Sequence, residues 1–191
     1  MSKGRLEAFS DGVLAIVITI MVLGLRVPEG ASFAALGLVV PNLLGYILSF
    51  VFLGIYWNNH HHLFQAVQRV NGSVLWANLL LLFWLSLVPF VTAWMGENGL
   101  APLPVALYGV VLIFAAMAYS ILVRVLVSLH GKESALAIAV GSDVKGKVSL
   151  ALYAAAIPSS LVSSYIAWAL YVVVAIIWLV PDRRIERTII R

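Results

Sequence analysis

The sequence contains no cysteine and little charge. None of its 191 residues is Cys, and only 10% are Asp, Glu, Lys or Arg, whereas 63% are hydrophobic. The lack of cysteine excludes disulfides and thiolate metal sites. Soluble domains carry about 25% charged residues. This composition, with a mean hydropathy of +1.05, therefore predicts one integral membrane domain without a separate soluble domain.

The apolar runs are long enough to cross a bilayer, which takes about 20 residues. The last run, 148–180, would be roughly 50 Å long as one helix at 1.5 Å per residue, which exceeds one span. Pro158 and the serines that follow it divide this run into two helices with a turn near Ser163 to Tyr165. We therefore predict an all-α membrane protein of six transmembrane helices, approximately 6–25, 33–57, 74–95, 102–129, 148–162 and 166–180.

The basic residues support this count. With six spans and a cytoplasmic N-terminus, only Arg26 would lie outside, which leaves eleven of the twelve Lys and Arg residues inside, as the positive-inside rule requires. We expect a multi-pass protein of the plasma membrane with both termini cytoplasmic and no nucleic-acid partner. We also expect no cleaved signal peptide, because the first apolar run carries Arg5, Glu7 and Asp11 and lacks a small-residue cleavage site.

The first span combines polar residues at its start with an ordered apolar face. Asp11 lies at the mouth of the span, where an ionisable group is costly and points to a function. Ile16, Thr19, Ile20 and Leu23 share one helical face. A hydroxyl between aliphatic residues suits an ion path with a hydrophobic constriction. The alternative is that the aliphatic residues face lipid or pack, while Thr19 bonds to its own backbone.

A motif in this first span resembles that of the transmembrane protein 175 family, which are potassium channels of lysosomes and, as shorter single-repeat proteins, of bacteria. The motif is Arg5-x-x-x-Phe9-Ser10-Asp11-Gly12 followed by Ala15-Ile16-x-x-Thr19. Three later segments fit the bacterial members, namely Tyr56-Trp57…His60-His61-His62-Leu63-Phe64, Trp76-x-Asn78…Pro89-Phe90 and Pro181-Asp182-Arg183-Arg184-Ile185-Glu186.

The resemblance implies a homotetramer that conducts potassium passively through a central fourfold pore lined by the first helix. Ile16 matches the narrowest ring and Thr19 matches a ring of hydroxyls that contributes to selectivity. Leu23 matches a further apolar ring, with Ile20 between. The partners are then other copies of the chain, the lipid bilayer and the permeant cations. Potassium is bound only in transit, and no cofactor or resident metal is expected. The sequence also lacks the Thr-Val-Gly-Tyr-Gly filter of other potassium channels.

The same resemblance gives the polar motif a structural role, in which hydrogen bonds tie the cytoplasmic end of the pore helix to neighbouring helices. The motif residues are Arg5, Phe9, Ser10 and Asp11, and the candidate partners are His61, Asn78 and Trp76. Buried polar groups at membrane depth must be satisfied, so this network would be sensitive to single changes.

Other functions fit the residues less well. Consecutive residues of a helix point to different faces, so His60, His61 and His62 do not converge on a metal ion. No catalytic constellation is present, which argues against an enzyme. A secondary transporter, coupled to protons or other cations, is the main alternative, although few ionisable groups lie at mid-membrane. An accessory membrane subunit is a further alternative.

Overall fold

The computed structural model describes residues 2–131, 133–141 and 143–179, and all the regular structure in these ranges is helical. The all-α prediction is therefore confirmed for the described residues. The helices are α1 (Lys3–Ile20), which continues into a 3-10 turn (Met21–Gly24), α2 (Phe33–Gln65), α3 (Gly72–Ser86), α4 (Val88–Glu97), α5 (Pro102–His130), α6 (Ala135–Val140), α7 (Val144–Val162) and α8 (Ser164–Leu179).

Four helical segments are long and apolar enough to cross a membrane, namely Lys3–Gly24, Phe33–Gln65, Gly72–Glu97 and Pro102–His130, while α8 is a shorter apolar helix. The described part of the chain is thus a multi-pass membrane protein. α2 extends past Trp57 to Gln65 and includes the three consecutive histidines. The last residue of the expected sixth span, Val180, lies outside the described residues.

Two breaks in the helices follow from local chemistry. α3 and α4 meet at Leu87, two residues before Pro89, which lacks the N–H that a continuous helix would need. α7 ends at Val162, where Ser163 adopts an extended conformation (φ −157°, ψ 116°) before α8 begins. The long apolar run 148–180 is thus divided within its serine-rich part.

The core lies around α5, which packs against α3, α4, α7 and α8. Tyr108 and Tyr171 are fully buried there. The Tyr171 hydroxyl donates to the Val105 carbonyl at 3.0 Å, and the Tyr108 hydroxyl lies 3.0 Å from the Ser49 hydroxyl. A Cβ at Gly109 would collide with the Tyr171 hydroxyl, so glycine is needed where the two helices approach. These bonds satisfy polar groups that lipid could not.

A histidine at the end of α5 holds the connection between α2 and α3. The His130 Nδ1 atom lies 2.9 Å from the Leu126 carbonyl, which only accepts, so Nδ1 carries the proton. Nε2 then accepts from the backbone N–H groups of Gln68 and Arg69 at 3.3 and 3.4 Å. The Arg69 guanidinium donates to the Leu129 carbonyl at 3.1 Å. The ring and the guanidinium together fasten the α2–α3 connection to α5.

We expect His130→Ala to expose the amides of Gln68 and Arg69, because both lose their acceptor. Two modest hydrogen bonds correspond to about 1–2 kcal/mol, or about 5- to 30-fold faster exchange. Hydrogen–deuterium exchange resolved to these amides checks this, with Ser128→Ala, at an exposed position on the same helix, as the matched control. Unchanged exchange in the His130 variant would contradict the assignment of this contact.

Candidate functional site

The first helix has two distinct faces. Leu6, Ser10, Leu14 and Val17 are buried on one side, where α1 packs against α2, α3 and α4. The face predicted to line a pore is uncovered in the single chain. Ile16 is 58% and Leu23 80% exposed. Thr19 and Ile20 are exposed on the same side, so all four predicted pore residues lie together and turn away from the rest of the chain.

The Thr19 hydroxyl is bonded to its own helix. Its Oγ1 lies 2.9 Å from the Ala15 carbonyl and 3.0 Å from the Ile16 carbonyl. Carbonyls only accept, so the hydroxyl proton points at the backbone. This is the local bond that sequence reasoning offered as the alternative to a pore role. The two are compatible, because the proton is turned inward and the oxygen lone pairs remain available to a cation.

A buried chain of hydrogen bonds joins α1, α2 and α3. The Asn78 Nδ2 donates to the Ser10 hydroxyl at 2.9 Å, which donates to the Leu6 carbonyl at 2.9 Å. The Asn78 Oδ1 lies 2.8 Å from His60 Nε2, and since an amide oxygen only accepts, Nε2 donates. Ser10, Asn78 and His60 are all buried. We call this the buried relay.

A second contact joins α1 to α2 nearer the surface. The Trp57 Nε1 donates to the Asp11 carboxylate at 3.1 Å. The Trp57 indole stacks on His61, with ring centroids 6.0 Å apart and an angle of 16° between the planes. Gln65 Nε2 in turn donates to His61 Nε2 at 2.9 Å. The carboxylate at the mouth of the span therefore has a defined donor, and that donor is oriented by a stacked ring.

The far end of α1 is also fastened. Asn42 of α2 is buried and donates to the Gly24 carbonyl at 3.3 Å. Beyond the 3-10 turn, Arg26 forms an ion pair with Glu97 at 3.5 Å. Both groups of that pair are largely solvated, so it contributes little to stability. The exposed face of α1 is thus presented by a helix that is tied at both ends.

The three predicted partners of the polar motif differ in how they contact it. Asn78 lies in the buried relay, and His61 reaches Asp11 only through the Trp57 ring. Trp76 is 75% exposed in the single chain. Of the motif residues, Ser10 is buried and Asp11 half-buried. Arg5 and Phe9 are exposed in the single chain.

Sequence reasoning missed His60 and Trp57 as partners. The signal for His60 was its spacing: it lies seven residues after Leu53 and four before Phe64, which are both buried on the inner face of α2. Within the described ranges, no group of three His, Cys, Asp or Glu residues is placed to hold a metal ion.

These features define a multi-pass helical membrane protein with a polar-tipped, outward-facing first helix. A model of the family described as "Endosomal/lysosomal potassium channel TMEM175" matches residues 5–89. A potassium channel of Chryseobacterium sp. (strain P1-3) is 56% identical over 189 residues, which cover 99% of this chain and 98% of that protein. This chain belongs to the TMEM175 family, and the family predicted from its first helix is confirmed.

A solved structure agrees with this assignment. It is the crystal structure of a homologue, from Chamaesiphon minutus, of the lysosomal potassium-selective channel TMEM175. It is 28% identical, with a TM-score of 0.80, over 93% of this chain and 96% of that one. The match to a mouse protein named an endosomal/lysosomal proton channel is more limited. It is 38% identical over 101 residues, which cover 47% of this chain and 20% of that protein.

We expect Asn78→Leu to lower the unfolding temperature of the purified protein. The substitution leaves the His60 Nε2–H without its acceptor in a buried site, and a stranded buried donor costs about 1–3 kcal/mol. Asn58→Leu makes the same chemical change at an exposed position of α2 and serves as the control. Equal unfolding temperatures for the two variants would show that the relay contributes nothing to stability.

Proposed function

We propose that this chain is the subunit of a potassium-selective channel that conducts passively through a central pore lined by α1. The observation that carries the proposal is the uncovered face of α1. Three of its residues, Ile16, Ile20 and Leu23, are apolar and exposed, and a single hydroxyl lies among them. The names of three bacterial relatives, all potassium channels, support potassium as the permeant ion.

The pore requires several copies of the chain. One helix face lines a path only when others close it, so we propose a homotetramer in which each pore residue forms a ring of four. The six spans would be α1, α2, the α3–α4 pair, α5, α7 and α8. The bias of basic residues supports cytoplasmic termini and a plasma-membrane location. No catalytic reaction or cofactor is proposed.

The order of residues along α1 supports a mechanism. A ring of Ile16 side chains forms the constriction, where loss of hydration is the barrier to an ion. The Thr19 ring lies one turn further, and its four hydroxyl oxygens replace part of the hydration shell. Each oxygen has its own proton directed to the backbone, so it presents lone pairs to the cation. Ile20 and Leu23 continue the apolar wall.

The polar contacts at the start of α1 set its rotation. Asp11 lies about 7.5 Å below Ile16 along the axis at 1.5 Å per residue. Ser10 and Asp11 bond to different partners, Asn78 and Trp57, so they resist rotation of α1 about its axis. Arg5 and Phe9, exposed in one chain, would face a neighbouring subunit, as would Trp76. We propose that these contacts keep Ile16 and Thr19 facing the pore.

A second candidate permeant is the proton. The mammalian relatives that match part of this chain are named proton channels. A proton-coupled carrier is a third possibility from the sequence, and a current that saturates with concentration would distinguish it from a channel.

The first experiment is reconstitution of the full chain in a planar bilayer with potassium on one side and sodium on the other. A current that reverses near the potassium equilibrium potential supports the proposal. Reversal near zero contradicts potassium selectivity. Reversal that follows an imposed pH gradient instead indicates proton permeation, and a purified protein without any current contradicts an autonomous channel.

We expect Thr19→Val to reduce the preference for potassium over sodium, because Val keeps the shape and removes the oxygen ligand. The reversal potential under the same two-ion gradient should move toward zero. Thr19→Ser retains the hydroxyl and should keep the wild-type value. If Thr19→Val reverses at the wild-type potential, Thr19 does not determine selectivity.

We expect Ile16→Ala to increase the single-channel current, because the smaller side chain widens the apolar ring and lowers the cost of dehydration. Ile18→Ala makes the same change at a partly buried position on another side of α1 and should leave the current unchanged. Single-channel recording compares the two variants. An increase in both, or in neither, would argue against a constriction at Ile16.

A further inference from the structure

A cavity separate from α1 lies among α2, α5, α7 and α8. Its empty space is about 500 Å³ when the open mouth is included. Five of the twelve lining residues that the structure describes are aromatic, and one carries a carboxylate. These side chains are Phe52, Tyr56, Tyr119, Tyr153, Trp178 and Asp143. We call it the aromatic cavity.

The aromatic walls are held in place by contacts within the protein. Phe52 and Tyr153 pack with ring centroids 6.3 Å apart, tilted by 58°. Tyr56 and Tyr119 pack edge to face, with centroids 6.1 Å apart. The Trp178 indole donates to the Ser149 hydroxyl at 2.8 Å. The rings that line the cavity are therefore fixed by contacts within the protein.

Two tyrosine hydroxyls of the cavity have unused hydrogen-bonding capacity. Tyr153 is only 2% exposed, yet neither its hydroxyl nor that of Tyr56 bonds to any residue that the structure describes. By contrast, the Tyr119 hydroxyl donates to the Asn59 carbonyl at 3.3 Å. Among the described residues, Trp168 Nε1 is the one fully enclosed side-chain polar atom that has no partner. The unpartnered hydroxyls of Tyr153 and Tyr56 are therefore not fully enclosed, and they are open to the cavity that both residues line.

Asp143 supplies a fixed negative charge. Its Oδ1 accepts from the Gly146 N–H at 3.0 Å and so caps α7. A Cβ at Gly146 would collide with the carboxylate, so glycine permits this close approach. Lys145 and Lys147 flank Gly146 in sequence, and within the described ranges no Lys, Arg or His lines the cavity. The lining side chains that the structure describes therefore carry one negative charge.

This combination selects one ligand chemistry. Aromatic faces attract cations, and alkylated ammonium groups are the cations that aromatic sites recognise best, since their methyl groups also contact the rings. A bare metal ion would need oxygen ligands on most sides, and Asp143 would repel an anion. We infer that the aromatic cavity binds an alkylated ammonium group, with Asp143 as its counter-charge. The group could come from a free solute such as choline or from a choline lipid headgroup.

The position of the cavity relates it to the pore helix. Tyr56 and Asn59 line the cavity, whereas their neighbours Trp57 and His60 bond to Asp11 of α1 and to Asn78 of α3. The same turns of α2 thus contact both features. The binding inference itself does not depend on channel activity, and a binding measurement tests it separately from the proposed function.

The test is titration of the purified full chain, in a detergent without choline headgroups, with choline and with its uncharged isostere 3,3-dimethyl-1-butanol. We expect choline to bind and the isostere to bind more weakly. Asp143→Asn should weaken choline binding by about fivefold to tenfold through loss of the charge. Asn is an equally good helix N-cap and tolerates the positive φ of 42° at this position, so the fold should be retained.

Two further variants make the result specific. Tyr56→Leu removes one ring and should weaken choline binding several-fold, which keeps the test independent of Asp143. Glu133→Gln neutralises an exposed carboxylate that does not line the cavity and should leave binding unchanged. No choline binding, equal binding of choline and its isostere, or wild-type affinity in both cavity variants would overturn the inference.

Nanodiscs distinguish the two sources of the group. If a lipid headgroup occupies the cavity, choline should bind more weakly in phosphatidylcholine nanodiscs than in phosphatidylglycerol nanodiscs. Equal affinity in the two lipids identifies a free solute as the ligand. Either result is consistent with an alkylated ammonium site.

Discussion

The hydrogen-bond chain from His60 through Asn78 to Ser10 is the constraint on which the rest of the structure depends. Each of these side chains is buried in a protein whose surroundings are apolar, so each needs a partner from within the chain. The partners come from three different helices. Satisfying one group therefore fixes the relative position of all three, and α1 is held in one rotation. Trp57 and Asp11 add a second contact, so α1 is fixed both along its axis and about it.

The fixed rotation explains the uncovered face. The inner face of α1 packs through Leu6, Leu14 and Val17. Its outer face is a stripe of aliphatic side chains with one hydroxyl. In a single chain this stripe has no partner. In the proposed channel, copies of the chain around an axis would close this stripe into a pore. The Thr19 oxygen, whose proton is directed to the backbone, would be the polar group of that proposed pore.

α2 connects α1 to the aromatic cavity. Neighbouring residues of one helix point in different directions, so Trp57 and His60 bond to Asp11 of α1 and Asn78 of α3, while Tyr56 and Asn59 line the aromatic cavity. A ligand held by Tyr56 would therefore touch a helix that also orients Asp11. The contacts of α2 with α1 and its wall of the aromatic cavity depend on the same local feature. That feature is the continuation of α2 to Gln65, beyond the end of its purely apolar part.

The sequence by itself determined the all-helical membrane class and the family. These features depend only on local sequence. They are the apolar composition, the division of the last run at its serines and the spacing of Ile16, Thr19 and Leu23. The Phe-Ser-Asp motif was sufficient to indicate the family. Tertiary structure alone decided the partners: Ser10 and Asp11 are held by Asn78 and Trp57, and His60, not His61, completes the relay. It also assembled the aromatic cavity from α2, α5, α7 and α8. The physical reason is that contacts between helices depend on the rotation and register of both. A shift of one residue turns a side chain by about 100°, and sequence periodicity does not fix that angle between two helices.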